Sequence, residues 1–199
     1  MHEKESQEFA RFPHGEKEHV IEILEQTKEA IKNDDVARLK DLSNQTIHTA
    51  STEQDTDSIT IAILIYSLSK IIERKHQYGE KECKQFCEFA FKEIEKVLKA
   101  LKSNGEGAFT QSLEVLMDKL TKSSGEFKNN VEDVFRKARI NKASKIYEHG
   151  ISMEQTSKLL GISMYELASY TGQKESANVP LAKTMSVKDR IKLAMDFFK

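Results

Sequence analysis

The chain has 199 residues, of which 32% are charged and 38% apolar, and its net charge is −1. That length suits one domain, or one domain with a small appendage, and the near-neutral balance excludes a polycation that coats nucleic acid by bulk charge. Two prolines and eight glycines leave long helices almost uninterrupted.

Residues 1–15 read as a flexible lead-in, closed by the turn signal Phe12-Pro13-His14-Gly15. Its polar start has no apolar core for a secretory leader. With two cysteines only, the expected compartment is the reducing cytoplasm.

Glu16 to Lys32 predicts a helix, with Val20, Ile23, Leu24, Thr27 and Ile31 at spacings of three and four. Asn33-Asp34-Asp35 breaks it and offers a cap. A second stripe, Val36 to about Ser51, carries Leu39, Leu42, Thr46 and Ile47. Thr52 to Asp57 reads as a connector, with Asp57 or Ser58 capping a third helix from Ile59 to Gln77. That helix is apolar almost all round, as a bundle's central helix is. Its apolar stretch, Ile59 to Ile72, is interrupted by Thr60, Ser67, Ser69 and Lys70 and falls short of the ~20 residues a membrane span needs.

Gly79 ends it. Glu80 to Lys102 predicts a fourth helix and Ala108 to Thr121 a fifth, with Ser103 to Gly107 as the turn between them. Lys122-Ser-Ser-Gly125 is the best domain boundary. Phe127 to about Arg139 follows, and Asn141 offers a cap for a continuation to Gly150. Gln173 to Pro180 reads as a loop, and Ser186 caps a last helix from Val187 to Phe198. The expected fold is all-α: a helical bundle over residues 16–124, then a helix-turn-helix module with a C-terminal helix over residues 125–199.

The stretch from Ser152 to Tyr170 carries the functional signal. Ser152 can cap one short helix, Gly161 follows Leu159-Leu160 where a left-handed residue would end it, and Ser163 with Glu166 spells a capping box for the next. Such a pair of helices enters the major groove through its second member. The candidate base contacts on that helix and just beyond it are Met164, Tyr165, Ala168, Ser169, Thr171 and Gln173. The candidate phosphate contacts are Arg136, Arg139, Lys142, Lys145, Lys158 and Lys174. Charge leans the same way: residues 126–199 hold 13 Lys/Arg against 9 Asp/Glu, or +4, and residues 1–125 hold 18 against 23, or −5.

Lys142 to Gly172 resembles the helix-turn-helix of prokaryotic and archaeal antitoxin-type regulators paired with PIN-domain nucleases. The matching residues are Ala143, Ile146-Tyr147, Gly150-Ile151-Ser152, Leu159 to Ser163, Glu166-Leu167 and Tyr170. The tail from Ser186 to Ala194 looks like segments that follow the motif in archaeal proteins. Ser157 departs from the pattern by standing where alanine is usual, so its hydroxyl needs a partner. The resemblance implies a non-enzymatic, DNA-binding transcriptional regulator.

The expected partners are double-stranded DNA, a protein held by the N-terminal bundle, and a second copy of the chain, because such motifs commonly read two half-sites. No membrane partner and no cofactor are expected. Two alternatives stand beside this reading: a helical protein-interaction adaptor, and a degenerate helical RNA-cleaving domain of the HEPN type. The latter uses an Arg-x4–6-His motif, whereas nine residues separate Arg38 from His48. Cys83 and Cys87 could form half a zinc site. Flanked by Phe86, Phe89 and Phe91, they read instead as packing residues, so no metal is expected.

Overall fold

The computed structural model describes residues 16–53, 55–103, 106–122 and 126–178. Among them it is all-α, with no strand. The helices are α1 (Glu16–Lys32), α2 (Val36–Glu53), α3 (Thr56–Glu73), α4 (Lys75–Tyr78), α5 (Glu80–Ser103), α6 (Glu106–Thr121), α7 (Glu126–Glu148), α8 (Met153–Leu160) and α9 (Met164–Asn178). The expected lead-in over residues 1–15 and the last helix capped by Ser186 lie outside the described residues.

Helix α3 is the axle. Ile59, Ile61, Ala62, Leu64, Ile65, Leu68 and Ile71 are at most 2% exposed, so several faces of the helix are covered at once. Helices α1, α2, α5, α6 and α7 all pack on it. Its serines satisfy themselves: the Ser67 hydroxyl donates to the Ile63 carbonyl at 2.8 Å and Ser69 to Tyr66 at 2.7 Å. A hydroxyl bonded back into its own helix can be buried without an orphaned donor. Two further polar contacts tie neighbours to α3. Ser43 of α2 donates to the Ala62 carbonyl at 2.5 Å, and Thr110 of α6 donates to buried Asp57 at 2.5 Å.

Several boundaries differ from the sequence expectation. The cap of α3 is Asp55, whose carboxylate accepts the N–H groups of Asp57 and Ser58, so the helix starts earlier than Ile59. It ends at Glu73, and a separate turn of helix, α4, follows. Asn141 caps nothing, because α7 runs unbroken to Glu148. Residues 173–178, expected as loop, continue α9. Glu93 of α5 is 5% exposed, with Lys96 at 2.5 Å and Lys119 at 2.9 Å from its two oxygens.

Helix α7 lies against α2, α3 and α6, and Val131, Val134, Phe135, Ala138, Ala143 and Ile146 join the same apolar cluster as the bundle. Helices α8 and α9 pack on α7 and on each other, with Leu160 and Leu167 closing that small core.

Candidate nucleic-acid interface

The local chemistry of the two short helices follows the residues that announce it. The Ser152 hydroxyl accepts the Gln155 N–H at 3.2 Å. Gly161 sits at φ 63°, ψ 35°, a left-handed conformation that glycine adopts without the Cβ clash other residues pay. Ser163 and Glu166 form the reciprocal box: the Ser163 hydroxyl accepts the Glu166 N–H at 3.1 Å, and the Glu166 carboxylate accepts the Ser163 N–H at 3.1 Å. These bonds to Ser163 hold the Glu166 carboxyl below the usual range. Ser157, the departure from the resembling family, donates its hydroxyl to the Glu154 carbonyl at 2.9 Å.

Two contacts fix α9 against α7. The Asn141 side-chain amide donates to the Tyr170 hydroxyl at 2.9 Å, and Arg136 lies 3.7 Å from Glu166. Neither pairing follows a local spacing, so neither is legible in the sequence.

On the outer face of α9, Met164 is 53% and Tyr165 83% exposed, and Ala168 and Ser169 are exposed beside them. These four expected base contacts share an open face. Thr171 is half-buried, and its hydroxyl donates to the Leu167 carbonyl at 3.0 Å, so that donor is already spent within the helix. Gln173 and Lys174 lie in α9, but their side chains fall outside the described ones.

The expected phosphate contacts divide. Lys145 is paired with Glu148 at 3.2 Å, Lys158 with Glu154 at 2.7 Å, and Arg136 with Asp133 at 3.3 Å. Arg139 is half-buried. Exposed pairs of this kind are worth little, and a phosphate can compete for the cation.

Lys142 corrects the expectation outright. Its side chain is fully buried in the seam between α7 and the bundle, where no phosphate reaches. Its Nζ donates to Asn44 Oδ1 of α2 at 3.1 Å and lies 4.6 Å from the ring centroid of Tyr66 of α3. Burial, with a smaller push from Lys145, lowers its pKa to about 7. One turn along the same seam, His48 of α2 meets His149 edge to face, with ring centroids 5.0 Å apart.

The basic surplus is also placed differently from the motif. Residues 126–178 hold 8 Lys/Arg and 7 Asp/Glu, or +1, whereas residues 179–199 hold 5 and 2, or +3. Most of the +4 therefore belongs to the tail.

Cys83 is buried and Cys87 half-buried on α5, and both are free thiols. Among the described residues no group of three or more potential ligands could hold a metal ion, and no helix is long and apolar enough to cross a membrane. No protein family, curated protein or solved structure matches the chain.

Proposed function

We propose that the chain is a cytoplasmic, non-enzymatic regulator that binds double-stranded DNA through α8 and α9, in the manner of antitoxin-type regulators. The observation that carries this reading is the α8–α9 corner itself. Its two caps and left-handed Gly161 hold two short helices on α7, and α9 presents Tyr165, Met164, Ala168 and Ser169 outward. An aromatic ring and small polar groups on an exposed helix can contact base edges and thymine methyls in the major groove. Lys145 and Arg136 on α7 and Lys158 on α8 are each paired with a carboxylate that a phosphate can replace. A second copy, joined through the bundle, would supply the second half-site.

The test is fluorescence anisotropy of the full chain on mixed duplex DNA across a salt series, with Lys145→Glu/Lys158→Glu as the control. Binding that weakens steeply with salt and disappears in the double variant supports the reading. Absence of binding at low salt overturns it.

One observation favours a second reading, in which the same face docks a protein. Met164 and Tyr165 are exposed, and Arg136, Lys145 and Lys158 are each matched by a carboxylate. An apolar anchor within a charge-balanced rim is also how a protein interface looks. A Tyr165-dependent complex whose affinity is indifferent to salt would select this alternative.

A further inference from the structure

The chain's two thiols, Cys83 and Cys87, stand four residues apart on α5. Gly79, at φ 99°, turns the chain from α4 into α5, and the Cys83 N–H bonds the Gly79 carbonyl at 3.0 Å, so Cys83 falls in the first turn of the helix. Both cysteines line a cleft of about 580 Å³, together with Ile31 of α1 and Ile72 of α3. Toward Phe91 the cleft changes character, because the Lys28 and Lys32 ammonium groups lie 4.5 and 5.2 Å from the centroid of that ring. The thiols and the two isoleucines make up its uncharged part.

Side chains at this spacing on a helix have Cβ atoms about 5–6 Å apart. A disulfide draws its Cβ atoms to about 3.8 Å, so α5 would have to deform to close one. Two metal–sulfur bonds of about 2.3 Å in line span about 4.6 Å between the sulfurs, a distance the two thiols reach with the helix intact. The spacing therefore suits an ion between the sulfurs better than a bond between them. Few ions accept so small a ligand set. Structural zinc takes four ligands, and among the described residues no group of three or more His, Cys, Asp or Glu could hold a metal ion. Soft monovalent ions such as Cu(I) prefer thiolates and bind two of them in line.

The surroundings fit such a complex. One Cu(I) between two thiolates carries a charge of −1. The cleft's charged lining is Lys32, Lys75, Lys84 and Lys92 against Asp34, Glu80 and Glu88, one cation in excess. Lys75 favours the ionised form of both thiols, while Glu82 opposes it at Cys83, and Asp34 and Glu88 oppose it at Cys87. Cys83 itself opposes ionisation of Cys87, so the two sulfurs are near enough to feel each other, and a cation between them removes that repulsion. Ile31 and Ile72 supply the apolar shell that limits water at a metal. Cys83 gives up only a weak S–H contact to the Ile71 carbonyl at 3.9 Å. We infer that Cys83 and Cys87 hold one soft monovalent cation, Cu(I) in particular, between their sulfurs. Two S–H bonds break, two Cu–S bonds form, both protons leave to solvent, and no electron changes hands. This inference is independent of what α8 and α9 bind.

The experiment titrates the full chain, reduced and free of oxygen, into the coloured complex of Cu(I) with bicinchoninate. The expected result is withdrawal of one Cu(I) per chain. Cys83→Ser and Cys87→Ser should each weaken the binding about a hundredfold or more, with unchanged far-ultraviolet dichroism spectra showing that the bundle is intact. Two readouts on the unmodified protein need no variant. Burial pushes both thiols up, Cys87 to about 12, so both begin protonated, and the affinity should rise about a hundredfold per pH unit around neutrality as two protons are released. X-ray absorption of the copper-loaded chain should show two sulfur neighbours and no nitrogen or oxygen. Metal retained by the Cys83→Ser/Cys87→Ser chain would overturn the inference by placing the ion on methionine or histidine. One Cu(I) per two chains would overturn it by placing the ion between copies. An affinity rising only about tenfold per pH unit, or no withdrawal from bicinchoninate, would do the same.

Discussion

Lys142→Met tests whether the seam between α7 and the bundle holds a charge at a cost. The methionine keeps the unbranched stem and removes the ammonium group. In the folded protein the amine titrates at about 7, against an ordinary 10.5, because burial disfavours its charged form. Below about pH 7 both folded and unfolded chains hold the proton, so the folded state carries the whole burial cost. Above that pH the folded protein loses its proton first, and the cost fades until the unfolded lysine also titrates. A displacement from 10.5 to about 7 corresponds to roughly 5 kcal/mol. That displacement already includes what Tyr66 and Asn44 return to the charged form, so Lys142→Met should gain a few kcal/mol, up to roughly 5 kcal/mol, near neutrality. Asn44 is exposed, and water can replace the lost donor. Urea unfolding followed by circular dichroism, between about pH 6.5 and about pH 10, reads the difference. The variant should be the more stable protein at the acid end, with its advantage shrinking as pH rises. A variant less stable at neutrality, or an advantage independent of pH, would refute the argument.

Three further substitutions probe other parts of the molecule. Burial pushes the Glu93 carboxyl up, but Lys96 and Lys119 outweigh it and hold the group below its usual range. Its stabilising contribution is therefore present at neutral pH and lost as pH falls through the carboxylate range; Glu93→Gln should cost about 1–2 kcal/mol at neutrality and almost nothing in acid, as compared by thermal melts. The Thr156 hydroxyl is buried and has no hydrogen-bond partner among the described residues. Thr156→Val should raise stability by about 1 kcal/mol in chemical denaturation, and a loss would mean that the hydroxyl is satisfied. Gly161→Ala has open space around its new methyl but a φ of 63°, so it should lower stability by about 1 kcal/mol through the backbone alone, read as a lower melting temperature.

The sequence disclosed local events well and distant ones poorly. The apolar run from Ile59 to Ile72 announced the central helix, because a helix without a polar face has to be surrounded. Ser152, Gly161, Ser163 and Glu166 announced the α8–α9 corner, because caps act within three or four residues of themselves. Asn141 and Lys142 were misread for one reason. Both belong to α7, whose character is set by α2, α3 and α9, which are remote in sequence. A lysine between Asn141 and Ala143 looks solvent-facing until Asn44 and Tyr66 are known to cover it. Asp55, in the same polar run as Asp57 and Ser58, could not be chosen over them before the start of α3 was known.

Helix α7 spans 23 residues, about 34 Å, and packs both on the bundle and on the α8–α9 corner. It therefore acts as a rigid strut with no hinge along its length. The corner cannot swing on the bundle as a tethered head would, and its aim is set by how α7 is seated in the bundle. Neither part owns the apolar surface between them, so neither can be cut out as a self-sufficient piece, and the described helices should unfold as one cooperative unit.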